Sequence, residues 1–243
     1  MQQVTKVKMR GLTMIKKYLA ILMIAMMSIT ALAGCGSSEE AAPEENQTEA
    51  TEEQAEETES AAADGSTLVA YYTRIGNTDG DFPEGVDAET SASIQVTDDG
   101  KKGNAQMIAE WVADETGGDL FAIQSSEIYP ADYDATVEKA SEDQGKNIRP
   151  ELTTKVEDMD KYSTVVLVYP NWWGDLPMAV YSFLDEYDLS GKNVVLYCTH
   201  EGSSFSDTVD TIKELEPDAN VTEGLSIRGG EVANSEADVR DSI

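Results

Sequence analysis

The sequence is poor in the residues that build metal sites and disulfides. Its 243 residues include two cysteines, Cys35 and Cys198, and one histidine, His200. Zinc sites usually take several Cys or His ligands, so neither a cysteine cluster nor a histidine pair is available and no metal site is expected. Cys198 also has no cysteine partner within residues 66–243, which excludes a disulfide inside that part of the chain.

Basic residues are scarce as well. The chain has 17 Lys and Arg against 47 Asp and Glu, a formal charge of −30 at pH 7. Residues 1–35 hold five basic residues and no acidic one, and residues 36–65 hold eleven acidic residues and no basic one, so residues 66–243 carry about −24. Such a surface argues against nucleic acid and anionic lipid as partners. It suits a basic protein partner, although acidity is also a general route to solubility.

Residues 1–34 are typical of a secretion signal. A basic start precedes the apolar stretch Tyr18–Leu32, which is shorter than the ~20 residues needed to span a bilayer. The stretch closes on Leu-Ala-Gly-Cys at 32–35, which resembles a bacterial lipobox. The resemblance implies cleavage before Cys35 and its lipidation, and thus a protein anchored at the extracytoplasmic face of the cell membrane rather than spanning it. Otherwise Cys35 is an ordinary thiol near a cleavage site.

Residues 36–65 are predicted to be a disordered acidic tether that begins at lipidated Cys35. Glu, Ala, Thr, Ser and Gln dominate it and it has no aromatic residue, so it cannot bury enough apolar surface to offset its ordering entropy. A folded domain is expected over 66–243, which is long enough for a real core. The sequence leaves open whether Met1 or Met14 is the start and whether the chain is truncated at its short last helix.

The expected domain alternates strand-like and helical segments. Short apolar runs predict strands, and apolar residues spaced three and four apart predict helices; Tyr133, Val137 and Ala140, for example, share one helix face. The predicted strands are 67–72, 120–124, 164–169, 193–199 and 221–226, and the predicted helices are 104–116, 132–145, 177–187, 205–215 and one from about 232. This alternation predicts a parallel sheet with helices on both faces and a ligand site beyond the carboxyl ends of its strands.

The loop after the first strand is a candidate anion site. Residues 73–78 read Thr-Arg-Ile-Gly-Asn-Thr. Thr73 and Thr78 offer hydroxyl donors, and Arg74 can neutralise negative charge. Gly76 permits positive φ and a close approach of the backbone. The spacing matches neither the dinucleotide fingerprint nor the Walker loop, and an ordinary polar turn is the alternative.

Two further loops follow later strands. Residues 169–177, Tyr-Pro-Asn-Trp-Trp-Gly-Asp-Leu-Pro, hold two adjacent tryptophans. Adjacent side chains point in different directions, so one ring can pack inward while the other offers a flat apolar face to a planar heteroaromatic ligand. Alternatively, both rings are buried against the end of the sheet and have a structural role. Residues 199–205 form a small polar loop in which a structural or hydrogen-bonding role for His200 is favoured over proton transfer.

Together, the three loops resemble those of the flavodoxin-like family. Residues 73–78 are similar to its phosphate loop, which usually reads Ser/Thr-x-Thr-Gly-Asn-Thr, and the other two loops resemble its second and third flavin loops. Segments at 132–134, 181–188 and 211–219 also resemble the bacterial branch that carries YPxWWGxxP. The resemblance covers about 66–240. It implies an α/β fold, a doubly wound five-stranded parallel sheet in the order 2-1-3-4-5 with helices on both faces, and non-covalently bound FMN.

The resemblance also implies roles for individual residues. The phosphate would be held by Thr73, Arg74, Gly76, Asn77 and Thr78. The isoalloxazine would be lined by Pro170, Asn171, Trp172, Trp173 and Gly174. Its other side would be closed by Thr199, His200, Glu201, Gly202 and Ser203. Trp173 is the first choice for contact with the ring. No side chain needs to act as a catalytic nucleophile or base, because the cofactor carries the redox chemistry.

Residues 79–103 depart from the family pattern, in which the first helix directly follows Gly-Asn-Thr. Two interpretations remain open. Residues 73–78 bind the phosphate and the insertion is an excursion, or the insertion splits the site and Lys102, Gly103 and Asn104 supply phosphate-binding N–H groups at the helix N-terminus. The inserted segment could also cover the flavin or bind a partner.

Three functions are compatible with these features. The first is an electron-transfer protein that docks on basic redox partners through its acidic surface. The second is an NAD(P)H-dependent FMN oxidoreductase that reduces a quinone or another small acceptor. The third is a flavin-free binding module on the same fold. The acidity favours the first, because it should repel a dianionic nucleotide. A location outside the cytoplasm, where NAD(P)H is scarce, favours it too.

Overall fold

The structure, a computed structural model, describes residues 66–82 and 90–243. The predicted signal peptide, lipidation site and tether lie outside the described residues, as do residues 83–89 of the predicted insertion. Among the helices of the described ranges, none has the length and apolar character needed to cross a membrane.

The bounds of the elements are as follows. The strands are β1 (Ser66–Tyr71), β2 (Thr78–Asp79), β3 (Ile94–Thr97), β4 (Gly100–Gly103), β5 (Asp119–Ala122), β6 (Tyr129–Pro130), β7 (Tyr162–Pro170), β8 (Asn193–His200) and β9 (Asn220–Arg228). The α-helices are α1 (Asn104–Thr116), α2 (Tyr133–Gly145), α3 (Met178–Glu186), α4 (Thr208–Leu215) and α5 (Glu236–Asp241). Short 3-10 helices cover Thr90–Ala92, Met159–Lys161 and Gly229–Asn234.

The main sheet contains β5, β1, β7, β8 and β9 in that spatial order. Every neighbouring pair is parallel. Numbered in chain order, these five strands have the order 2-1-3-4-5, so the predicted flavodoxin-like topology is confirmed. The central strand β7 is buried without a break from Val165 to Pro170, as expected for an apolar strand that is covered on both faces.

Helices cover both faces because alternate residues of a strand point in opposite directions. Leu68 of β1 belongs to the apolar cluster that contains Phe183 of α3. Its neighbour Val69 belongs to the opposite cluster, with Ile108 of α1 and Val239 of α5. The burial of apolar side chains on each face stabilises the sheet and places the strand ends, with their loops, at the edges of the helical layers.

Residues 94–103 form a β-hairpin that sequence patterns did not predict. Strands β3 and β4 pair antiparallel, with Ile94 fully buried and Val96 58% exposed. Two alternating apolar residues are too few to identify a strand by its period. The two-residue turn is Asp98-Asp99, and Gly100, which pairs with Thr97 directly after it, has a positive φ of 110° that glycine adopts readily.

The predicted helix boundaries are correct for α1 and differ elsewhere. Helix α4 begins at Thr208 rather than near residue 205, because Ser204 and Ser206 have φ values of 54° and 46°, which a right-handed helix does not allow. The helix predicted from about residue 232 is divided between the 3-10 helix Gly229–Asn234 and α5.

Candidate functional site

The loops after β1, β7 and β8 meet at a cavity of about 390 Å³ beyond the carboxyl ends of the strands. Most of the residues predicted from sequence contribute to its lining: Arg74, Pro170, Asn171, Trp172, Trp173, Gly174, Thr199, His200, Glu201 and Ser203. The other predicted residues do not line it: Thr73, Gly76, Asn77, Thr78, Asn104 and Gly202. The fold therefore brings all three predicted loops to one place.

Six residues of the cavity wall were not named from the sequence, although one interpretation of the insertion was that it covers the flavin. Helix α2 supplies Tyr133, Thr136, Val137 and Ala140, and the inserted segment supplies Ala92 and Ser93. The spacing of Tyr133, Val137 and Ala140 indicated a shared helix face, but only the packing shows that this face borders a cavity. No pattern in the sequence singled out the two inserted residues.

Arg74 is a buried cation at the cavity. It is only 2% exposed, and its Nη2 donates to the carbonyl oxygens of Pro130 and Ala131 at 3.1 and 2.9 Å and to Thr136 Oγ1 at 3.1 Å. The guanidinium also lies 5.1 Å from the centre of the Phe82 ring. Burial lowers the pKa of Arg74 from its ordinary value.

Arg74 has no carboxylate partner in any ion pair between described residues, and its Nε has no hydrogen-bond partner there. Fully buried charges in proteins are normally paired, because an uncompensated charge in a low-dielectric site is costly. The cavity therefore has a positive end that suits an anionic ligand group.

The rest of the first loop is shaped by its own side chains. The Nδ2 of Asn77 donates to the carbonyl oxygens of Thr73 and Ile123, at 2.9 and 3.1 Å, while its Oδ1 accepts the N–H of Ser125 at 3.0 Å. Thr78 Oγ1 donates to the carbonyl oxygen of Arg74 at 2.7 Å. These bonds hold the loop in its conformation and occupy the polar atoms of the two side chains.

The insertion returns the chain to the first loop. A Cβ built on Gly103 would lie 1.9 Å from Thr73 Oγ1, so the N-terminus of α1 stands directly against Thr73. Asn104 is 1% exposed; its backbone N–H donates to Ser93 O at 2.9 Å, and its Oδ1 has no partner in the described part of the chain. The ammonium group of Lys102 is instead bound by Glu110 at 2.7 Å.

The two tryptophans of the second loop point in different directions. Trp172 packs edge-on against Tyr72 and Tyr129, with ring centres 5.5 and 5.1 Å apart. Trp173 is 60% exposed, and its indole N–H donates to the carbonyl oxygen of Val137 in α2 at 3.0 Å. Trp172 therefore packs against the core and borders the cavity, while Trp173 is a largely exposed apolar surface at the cavity.

The second and third loops are tied to each other. The backbone N–H of Asn171 donates to Thr199 O at 2.7 Å, and its Nδ2 donates to Ser204 O at 2.9 Å. Within the third loop, His200 Nδ1 accepts the N–H of Gly202 at 2.8 Å, which orients the imidazole ring. These bonds hold one wall of the cavity in a defined geometry.

Charge in the third loop is partly compensated. The carboxylate of Glu201 forms an ion pair with Arg228 at 3.5 Å, at the end of the neighbouring strand β9. Cys198 lies just before this loop in β8; burial raises the pKa of its thiol to about 12, so the group is neutral. The described site thus offers a planar apolar face, one buried cation and a polar, backbone-rich wall.

A doubly wound sheet in the order 2-1-3-4-5, with its cavity at the ends of the first, third and fourth strands, defines a flavodoxin-like α/β protein. A family model described as flavodoxin matches residues 94–240. Because this match covers more than half of the chain, the protein belongs to the flavodoxin family.

Solved structures share this fold. A candidate flavoprotein from Bacteroides eggerthii DSM 20697 is 24% identical, with a TM-score of 0.51, over 72% of this chain and 98% of that chain. One from Bacteroides uniformis ATCC 8492 is 23% identical, with a TM-score of 0.53 and the same coverage. A flavoprotein from Lactobacillus acidophilus NCFM in complex with FMN is 19% identical, with a TM-score of 0.47, over 71% of this chain and 99% of that chain. No curated protein matches the chain.

Proposed function

We propose that this protein binds FMN in the cavity and transfers electrons to and from a basic redox partner at the outer face of the cytoplasmic membrane. The observation that carries the proposal is the pairing, in one cavity, of a largely exposed tryptophan face with a buried arginine that forms no ion pair with a carboxylate among the described residues. A flavin nucleotide combines the two complementary groups, a planar heteroaromatic ring and a phosphate.

The residues present fit such a ligand. A cavity of about 390 Å³ lies within the range of small-molecule sites, about 300–1,000 Å³. Arg74 Nε is a buried polar atom without a partner among the described residues, and an acceptor on a bound ligand would satisfy it. In this proposal Arg74 balances the phosphate charge and Trp173 contacts the ring.

FMN supplies the electron-transfer chemistry when it is bound. The role of the protein is to hold the cofactor, restrict its access to water and set the charge around it. Acidic residues dominate the domain, and Glu201 at the cavity is only partly compensated by Arg228 at 3.5 Å. Such surroundings oppose the addition of negative charge at the site and attract positively charged partners.

The membrane location in this proposal rests on the lipobox-like sequence that ends at Cys35. Lipidation there would place the domain at the end of an acidic tether, close to membrane-bound redox partners. The expected result is that the chain fractionates with membranes and incorporates labelled fatty acid, and that Cys35→Ser abolishes the incorporation. Recovery of the wild-type chain in the soluble fraction would remove this part of the proposal without affecting FMN binding.

The central experiment is a titration of the full chain with FMN, followed by removal of excess ligand and an absorbance spectrum. Retained flavin bands with quenched fluorescence would support the proposal. A folded chain that retains no flavin would exclude both redox functions and favour a binding module. If flavin is retained, rapid bleaching on addition of NADPH would replace the electron-transfer proposal with the oxidoreductase alternative.

A further inference from the structure

A second cavity, of about 440 Å³, lies beside β9, the last strand of the main sheet. Its lining includes Leu225, Ser226 and Ile227, which are successive residues of this strand. Because successive residues of a strand point to opposite faces of the sheet, a cavity that touches three in a row lies along the edge of the strand rather than over one face. The described lining of this cavity, the β9 groove, shares no residue with that of the candidate functional site.

The edge of β9 that borders the groove is open. Among the described residues, β9 pairs only with β8 and ends the order of the main sheet. Alternate N–H and C=O groups of an edge strand point away from its neighbour and can pair with a further strand. Residues 224–227, Gly-Leu-Ser-Ile, have neither a charge nor a proline, two features that commonly protect an edge strand. This edge can therefore accept an extended segment by strand addition.

The groove has an apolar floor and a fixed outer wall. Ile227 is buried in the apolar cluster that contains Val239 of α5, and Leu225 packs against the same cluster. The outer wall is formed by α5 and the 3-10 helix before it. A hydrogen bond of 2.9 Å between Tyr197 Oη of β8 and Ser242 Oγ holds the end of this wall against the sheet.

The outer wall is acidic. It presents the exposed carboxylates of Glu231, Asp238 and Asp241. None of the three belongs to an ion pair between described residues. Arg240 of the same helix pairs instead with Glu236 and with two acidic residues of α1. Since the described lining of the groove contains no basic residue either, the wall attracts positively charged groups.

The charge of the groove also decides between occupants. The predicted tether, residues 36–65, holds acidic residues and no basic one, so the groove would repel it. A second copy of the domain is strongly acidic as well. Lysine and arginine side chains fit both parts of the groove, because their methylene groups can lie on an apolar floor while the charged end reaches a carboxylate. The occupant that matches is a basic segment of another protein.

We propose that the β9 groove binds an extended, lysine- or arginine-containing segment of a partner protein, which pairs as an additional strand with the free edge of β9. The basic side chains of the segment cross Leu225 and Ile227 and reach the carboxylates of the outer wall. The site is separate from the cavity and does not require FMN. Ser226 Oγ shares a hydrogen bond of 2.8 Å with Ser204 Oγ of the third loop, so a partner held here stays beside the candidate functional site.

The probe that tests the proposal is a short fluorescent peptide of alternating valine and lysine. It is titrated with the full chain at physiological ionic strength, and binding is followed by fluorescence anisotropy. The wild type should bind this peptide and not its valine–glutamate counterpart. Asp241→Lys should weaken binding about tenfold, because an attraction is replaced by a repulsion. Glu214→Lys is the matched control: it makes the same charge change at an exposed position near the end of α4, outside the described lining of the groove.

A second pair of probes tests the strand pairing. The lysine peptide is N-methylated at alternate residues in either of the two possible registers, which removes the backbone donors from one edge at a time. One of the two methylated peptides should bind about tenfold more weakly or worse, because a strand pairs through one edge. The unmethylated peptide should also slow hydrogen exchange of the β9 backbone amides.

The outcomes distinguish the occupants. No binding of the lysine peptide to the wild type, or equal weakening by Asp241→Lys and Glu214→Lys, would overturn the groove as the site. Undiminished binding of both methylated peptides would overturn strand addition. A dimer of the chain alone that Asp241→Lys dissociates, seen by sedimentation velocity, would assign the groove to a second copy. Circular dichroism checks that each variant is folded, and Glu231→Lys replaces Asp241→Lys if the latter is not. FMN binding by the wild type stands in every case.

Discussion

Gly103 and Thr73 touch so closely that a Cβ on Gly103 would lie 1.9 Å from Thr73 Oγ1 and 2.7 Å from Thr73 Cβ. The whole insertion separates the two residues in sequence. Their contact brings the loop after β1 directly against the start of α1.

Gly103→Ala should destabilise the protein. The new methyl group would overlap the Thr73 side chain, and overpacking of this kind costs about 1–3 kcal/mol. Urea unfolding followed by circular dichroism measures the effect. Gly145→Ala is the matched control, because a Cβ there meets nothing within 4 Å and alanine favours the helix. Equal stability of the Gly103→Ala variant and the wild type would show that the contact relaxes at no cost.

The adjacent tryptophans should respond differently to truncation. Trp172→Ala removes a ring packed between Tyr72 and Tyr129 and should lower the free energy of unfolding by about 3 kcal/mol. Trp173→Ala removes a ring that is 60% exposed, so the stability of the FMN-free protein should change by less than about 1 kcal/mol. Trp173→Ala should instead weaken the binding of FMN about tenfold. Urea unfolding and fluorescence titration measure the two effects; similar destabilisation by both variants would assign Trp173 to the core.

Glu216 should make stability fall as pH rises. Burial raises the pKa of Glu216 to about 7, and the nearby charges of Asp188 and Asp185 add to this effect. Between its unfolded pKa, near 4.3, and about 7, the folded protein binds the proton and the unfolded chain does not. The contribution of this group is therefore fully present below pH 4 and is lost as pH rises through 7.

The matching variant is Glu216→Gln, which cannot ionise. Its stability relative to the wild type should increase between pH 5 and pH 7.5, by at most about 1.4 kcal/mol per pH unit. The urea unfolding midpoints of the variant and the wild type are measured across this pH range. Their difference reports Glu216 alone, because the acidic surface affects both proteins equally. A difference that is constant with pH would mean that Glu216 ionises normally in the fold.

Cys198 should be unreactive in the native protein. The thiol is buried and its pKa is raised to about 12 by burial, whereas the thiolate is the reactive form. In a Cys35→Ser variant, Cys198 is the sole cysteine. A thiol reagent such as DTNB at pH 8 should label it slowly without denaturant and rapidly in urea. Rapid labelling under native conditions would show that the end of β8 opens on the timescale of the reaction.

Much of the fold could be predicted from local patterns. Helix α1 was predicted with its observed bounds because its apolar residues recur at helical spacing and Gly117 ends it with a left-handed φ of 66°. Strand β7 was predicted from its uninterrupted apolar run. The hairpin at 94–103 was not predicted, because its stability comes from contacts such as the bond from Gln95 to Gly229, 134 positions away in sequence.

The candidate site was also predictable only in part. The motifs around Arg74, Trp173 and His200 are visible in the sequence because they follow strand ends, and parallel strands bring their carboxyl ends to one edge. The sequence could not show that Asn77 and Thr78 bond within their own loop, since that depends on backbone groups that only the folded chain brings near.

The sequence by itself determined the alternation of strands and helices and the three loops at the carboxyl ends, because side-chain periodicity and turn chemistry act over a few residues. Only the tertiary structure decided that Ser93 lines the cavity, that Gly103 meets Thr73 and that Arg74 is buried without a carboxylate partner among the described residues. These relationships depend on distances between residues far apart in the chain, which packing sets and no local pattern encodes.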